Sequence, residues 1–256
     1  MTIPTAAAWR RLLTGALAVA LLAVAGRPAR AQPMLAEEAS RLRTPQHFAL
    51  EMRFGPYRPD VDSEFAGRAP YREFFGDGNK LMMQLELDYQ IFQKFGSAGI
   101  GFGIGYFAVT GKAFDGRGSG TRTADDSTLK IFPLSLSAVY RFDVLYEQRG
   151  IPLVPYAKLG LDYAIWQVTD GNGEIATDGV GGRARGGTLG WHGAVGVSLI
   201  LDFIDPDAAK VFDSEMGVNH THLFFELNHY DISGLGQSNR MHLGDNTWTM
   251  GLMFEF

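Results

Sequence analysis

No cysteine occurs in the 256 residues. That excludes a disulfide framework, a thiolate metal site and a cysteine nucleophile. A helical membrane span is missing too. The longest apolar run, Leu12 to Ala25, is about fourteen residues, where a spanning helix needs roughly 20. Cationic excess is absent: the net charge is −5, which gives no reason to expect nucleic acid as a partner. Nucleotide loops are lacking as well. Gly99-Ile-Gly-Phe-Gly-Ile-Gly105 repeats with period two, and Gly179-Val-Gly-Gly-Arg-Ala-Arg-Gly-Gly187 lacks the Lys-Ser/Thr ending of a phosphate loop. No cofactor is expected. The second run reads as a mobile basic loop tip, with Arg183 and Arg185 as solvated charges, contact with lipid phosphate groups being the alternative.

What the chain does have is glycine, alternation and a processing signal. Arg10-Arg11, the apolar run and Ala29-Arg-Ala31 follow the charged, apolar and small-residue order of a secretory signal. Residues 1–31 are therefore expected to be a cleaved signal peptide. Residues 32–45 carry too few apolar positions for structure and read as a periplasmic tail. The domain proper is expected over 46–256.

Within it, eight segments alternate apolar and polar with the period of a strand. They are Gln46–Tyr57, Leu81–Phe92, Ala98–Thr110, Leu129–Val144, Leu153–Val168, Thr188–Phe203, His220–Ile232 and Thr247–Phe256. In the second, Met83, Leu85, Leu87, Tyr89 and Ile91 oppose Gln84, Glu86, Asp88 and Gln90. In the last, Trp248, Met250, Leu252, Phe254 and Phe256 fall on one face. Each segment is long enough to cross a bilayer as a tilted strand, and an even count suits a single-chain barrel. The links after strands one, three, five and seven are long and polar, and those after two and four are short. Such alternation is expected of extracellular loops and periplasmic turns. The sixth link, Ile204–Asn219, is the exception. Asp205-Pro206 reads as an N-cap with proline at the first helical position, and Gly217 as a stop, so a short periplasmic helix is predicted there.

Alternation alone leaves open which face points outward. Roughly four or five large apolar residues per strand exceed what an eight-stranded interior holds. The polar face is rich in Gly, Ala and Ser, as a crowded lumen requires. Tyr57, Tyr106, Trp166, Trp191 and Trp248 lie near strand ends and read as interface girdles. The fold class is therefore all-β: an eight-stranded antiparallel up-and-down transmembrane β-barrel.

The inward face then concentrates charge at Glu51, Arg53, Glu86, Asp88, Arg141, Lys158, Asp162, Asp202, Glu226 and Glu255. Charges in a narrow lumen must pair or be hydrated. The expectation is a hydrogen-bonded plug around the three cations, although acids outnumber bases on this face. A continuous aqueous lumen, and with it a narrow pore for small solutes or ions, is the alternative. His220 and His222 share a strand face with Glu226, a spacing compatible with a metal but not specific for one, and no metal is expected. His229 with Asp231 and Ser233 near the loop rim is the one arrangement a lipid-modifying barrel enzyme could use. The chain lacks a His-x-Ser motif, and an enzyme is not expected.

The terminal strand and Phe256, together with this patterning, resemble the small OmpA/OmpX-like eight-stranded outer-membrane barrels of bacteria. The resemblance implies location in the bacterial outer membrane, contact with its lipid and lipopolysaccharide, and reading of Phe256 by the barrel-assembly machinery. The stretch Asp205-Pro-Asp-Ala-Ala through Gly217-Val-Asn-His-Thr-His-Leu-Phe-Phe-Glu226 is also similar to an uncharacterised myxobacterial outer-membrane barrel family. The long sixth link departs from the OmpX-like pattern. No peptidoglycan-binding domain follows the last strand, so an OmpA-like tether is not expected. The expected role is structural or surface contact, with four long extracellular loops displayed for an unknown ligand.

Overall fold

The computed structural model describes residues 46–114, 122–177, 182–237 and 239–256, without the side chains of 113–125. The expected signal peptide and tail lie outside the described residues. Eight strands form the barrel: β1 Phe48–Tyr57, β2 Lys80–Gln93, β3 Ser97–Phe114, β4 Arg122–Arg141, β5 Leu153–Thr169, β6 Arg185–Ile200, β7 His220–Asp231 and β8 Asp245–Glu255. Each pairs antiparallel with its neighbour in sequence. β8 returns to β1, with Ala49 opposite Glu255 and Phe54 opposite Met250, which closes the sheet. Closure leaves no edge strand in the barrel wall among the described residues, the condition for carrying a sheet through lipid. Beyond the ladder, the Phe256 carbonyl accepts from His47 N at 2.6 Å and Phe48 N at 3.0 Å, so the last residue ties the seam.

Alternation decides the two faces as the period requires. On β2, Leu85 and Leu87 are 49 % exposed, while Glu86 between them is 2 % exposed. The same reversal places Phe102, Leu136, Leu161, Val197, Phe225 and Met250 on the outer wall. An apolar wall on every strand, around a charged interior, is a surface made for hydrocarbon.

The start of β1, Phe256 and three links lie at one end of the barrel. β2 and β3 are joined by a tight turn at Lys94–Gly96. Helix α2, Val144–Arg149, lies between β4 and β5, and helix α3, Pro206–Met216, between β6 and β7. In α3, Asp205 accepts a hydrogen bond from Ala208 N at 3.0 Å, Pro206 opens the helix, and Gly217 ends it at φ 71°. The periplasmic helix is where the cap signals put it.

Several boundaries differ from the sequence expectation. The first long link contains a 3-10 turn, Val61–Glu64, and helix α1, Pro70–Phe75. Helix α2 occupies what reads as a plain turn. β4 begins at Arg122 rather than Leu129, and Thr110 pairs with Thr128 and Lys112 with Asp126 beyond the apolar belt. Residues 122–128, Arg-Thr-Ala-Asp-Asp-Ser-Thr, show no alternation because a ribbon clear of lipid has no face to bury. Periodicity signals burial, and only through burial a strand. β6 runs Arg185–Ile200 rather than 188–203. Arg185 is therefore a wall residue rather than a loop tip, while residues 178–181 of that loop lie outside the described residues.

Candidate functional site

The polar interior is built from strands that are neighbours in space, which lets side chains distant in sequence converge. Arg53 of β1 donates to Glu86 of β2 and to Glu226 of β7. Arg141 of β4 donates to Glu51 at 2.7 Å and to Asp88. Lys158 of β5 donates to Glu51 at 2.6 Å and Glu86 at 2.8 Å, with Glu226 3.9 Å away. All seven side chains are buried; the most accessible, Arg53 and Lys158, are 4 % exposed. Space for them comes from the glycines of β3. A Cβ added at Gly101 would run into the carboxylates of Asp88 and Glu86.

Four carboxylates facing three cations leave one acid in excess within this layer. Further acids are held by histidines. Asp162 pairs with His192 Nδ1 at 2.7 Å, and His192 Nε2 lies 3.2 Å from Ser137 Oγ. Glu255 pairs with His222 Nε2 at 3.1 Å and accepts from Gln90 at 3.2 Å, while His222 Nδ1 lies 3.1 Å from Ser198 Oγ. These two histidines were not singled out in the sequence as partners of the acids. The signal was present, since both fall on the polar face of their strands.

Nine of the ten expected lumen charges thus lie in the barrel interior. Asp202 does not. β6 ends at Ile200, so residue 202 sits in the following turn, half-buried. There it holds His220 Nδ1 at 2.5 Å and accepts from Thr221 N at 3.2 Å. Although burial opposes its charge, the His220 hydrogen bond keeps the Asp202 carboxyl below its ordinary range.

Above the ionic layer, toward the loop end, the lumen turns apolar. Tyr57, Met82, Phe107, Leu129, Ile131 and Tyr230 project inward from the strands. Val61 and Tyr71 of the first loop and Leu243 of the last descend onto them. The Tyr57 hydroxyl donates to the Leu243 carbonyl at 2.5 Å. Asp62 accepts from Tyr71 N at 2.7 Å and Arg72 N at 3.2 Å, which starts α1, and Glu64 accepts from His242 N at 2.5 Å. Burial in this cap pushes the Tyr71 phenol up to about 12.

Two residues expected in an aromatic girdle, Tyr57 and Trp166, turn inward instead. Tyr57 shares the parity of Glu51 and Arg53, and Trp166 that of Lys158 and Asp162, so parity outranks strand-end position. Tyr106 and Trp248 do face outward, 40 % and 41 % exposed.

The arrangement limits the chemistry available inside. Asp162, His192 and Ser137 have the bond order of a hydrolytic triad. Ser137, however, is 2 % exposed and enclosed by side chains, so no scissile bond can approach it. The rim arrangement does not assemble. His229 lies on the outer wall, 2.7 Å from Asn246 and against Trp191, while Ser233 donates to Asp231. His220 and His222 each hold a separate carboxylate, and Glu226 belongs to Arg53. Glu51, Glu86 and Asp88 are close enough to hold a metal ion, but Lys158 and Arg141 already occupy the space between them. At the end near the termini, a cavity of about 40 Å³ opens against Arg141, His222 and Glu255.

Closed barrel, lipid-facing wall and ion-paired interior together define a small eight-stranded transmembrane barrel of the bacterial outer membrane. No protein-family model matches the chain, and no curated protein matches it. Among solved structures it is similar to OprG from Pseudomonas aeruginosa, at 14% identity and TM-score 0.44, covering 84% of this chain and 97% of that one. It is also similar to Ail, the attachment invasion locus protein of Yersinia pestis, at 10% identity and TM-score 0.38, covering 82% and 97%. A major outer membrane protein from Thermus thermophilus matches at 14% identity and TM-score 0.42, covering 83% and 100%. Likeness at this level transfers no residue roles.

Proposed function

We propose that the protein is a sealed, non-conducting outer-membrane barrel whose working surface is its extracellular loop end, used for structural or surface contact. The observation that carries this reading is the two-layer filling of the lumen. An ion that entered from the periplasmic cavity would meet Arg141, Lys158 and Arg53, each locked between carboxylates. It would then face a cap of tyrosine, phenylalanine and leucine held by hydrogen bonds to two loops. Passage requires breaking a buried ionic layer and dehydrating across an apolar one, both costly. The same filling keeps substrates from the interior hydroxyls, so the reading includes no enzymatic step.

Single-channel recording of the refolded chain tests it, with heat-modifiable gel mobility as the folding control. A folded barrel is expected to give no conductance steps. Stable steps that change on Arg141→Gln would replace this reading with a narrow pore.

Phe256 is proposed as the assembly signal, with the barrel-assembly machinery as its reader. Phe256→Ala is expected to lower the folded fraction in cells while leaving refolding into detergent intact. Equal loss in both settings would assign Phe256 to stability alone.

A further inference from the structure

On the outer wall at the loop end, strand register sets Lys130 of β4 beside Gln167 of β5, and Gln167 beside Arg185 of β6. All three share the outward parity of Leu136, Leu161 and Leu189 on their strands. One outward step closer to the membrane centre come Phe132, Ile165 and Gly187, and one further Leu134, Tyr163 and Leu189. The polar row thus lies directly on the edge of the apolar belt. Glycine at 187 lets the Tyr163 ring lie flat against β6, since an added Cβ would strike its hydroxyl. The phenol is carried toward the row as a further donor.

Lys130 and Arg185 form no ion pair among the described residues. Lys112, farther out on β3, is by contrast matched by Asp126 at 3.0 Å. On β7 and β8 the outward positions at this end carry no Lys or Arg: His229 is bonded to Asn246, and Asp231 accepts from Ser233. Among the described residues, the unmatched cations at outward strand positions are therefore confined to one sector of the wall. Adjacent strands lie about 5 Å apart, so the backbones of Lys130 and Arg185 are separated by roughly 10 Å. An ammonium and a guanidinium at that spacing can reach two anionic groups of a single head group, with the Gln167 amide between them.

We propose that Lys130, Gln167 and Arg185 form a binding site for the phosphate groups of lipopolysaccharide in the outer leaflet. The acyl chains lie over Phe132, Ile165 and Leu189 beneath. The long-loop end is the extracellular end, so the lipid meeting this row is outer-leaflet lipid. A glycolipid with several phosphates at one depth engages both cations, whereas a phospholipid with one phosphate engages one. This site is on the barrel wall and does not depend on what the loops contact.

The test is titration of the refolded full chain in neutral detergent with purified lipopolysaccharide, read as apparent Kd. Comparators are dephosphorylated lipopolysaccharide, phosphatidylglycerol and inorganic phosphate. With about a tenfold loss per charge-assisted hydrogen bond, K130Q/R185Q is expected to bind about a hundredfold more weakly. K130R/R185K, which keeps both charges, should stay near the unsubstituted chain, and so should R68Q/R72Q in the first loop. Dephosphorylated lipid should bind the unsubstituted chain no better than lipopolysaccharide binds K130Q/R185Q. Undiminished binding by K130Q/R185Q overturns the proposal. So does phosphatidylglycerol or free phosphate binding as tightly as lipopolysaccharide. All positions are on the outer surface, and heat-modifiable mobility checks that each variant folds.

Discussion

Lys158→Met is expected to destabilise the folded barrel by about 3–5 kcal/mol, the range for removing one partner from a buried ionic group. Lys158 donates to Glu51 and Glu86 and faces Glu226, and all three acids are at most 2 % exposed. Methionine nearly preserves the volume but leaves these carboxylates with Arg53 and Arg141 alone. Neither arginine can move to cover the gap, because each is already held by a second acid. Urea unfolding of the refolded protein, followed by heat-modifiable mobility and tryptophan fluorescence, measures the loss. Glu51→Gln and Glu86→Gln added to Lys158→Met should recover a large part of it, since fewer uncompensated charges then remain. An unchanged midpoint for Lys158→Met alone would mean that water or counter-ions already screen this layer, and the sealed-lumen reading would fall with it.

The second large effect is expected on the other face. Leu136→Arg places a charge on the outer wall of β4, between Phe102 of β3 and Leu161 of β5. Leu136 is 54 % exposed, so a barrel dissolved in water would accept arginine there with little change. In lipid, an arginine near the bilayer midplane costs about 2–4 kcal/mol. Unfolding in phospholipid vesicles should show that loss, and Lys130→Gln at the edge of the belt should show almost none. Equal stability of Leu136→Arg and the unsubstituted chain would show that the wall does not face hydrocarbon.

The two substitutions probe what was legible at different depths of the sequence. Leu136 was placed outward by parity together with bulk, because Phe132, Leu134, Leu136, Tyr140 and Phe142 share one face while Ser135, Ser137, Arg141 and Asp143 share the other, and a narrow lumen cannot hold the bulky set. Parity also gathers Glu51, Arg53, Glu86 and Lys158 on one face. It says nothing of partners, because register between β1, β2, β5 and β7 joins residues from 33 to 173 positions apart. Asp202 shows the limit from the other side: its parity is inward, but the strand stops at Ile200. The terminal helix cap at Asp205 was readable because a cap is a local device of a few residues. Helix α1 was not, because it is stabilised from outside, by Asp62 and by Tyr71 seated on the barrel mouth.

By itself, then, the sequence determined the eight strands, their two faces, the charged interior and the periplasmic helix. Each of these follows from side-chain alternation or from contacts within one turn of chain. Only the tertiary structure decided that His192 and His222 hold surplus acids and that two loops cap the mouth. It also set Lys130 beside Arg185. These depend on which strands become neighbours and at what stagger, and that is settled by closing the whole sheet at once, when β8 meets β1.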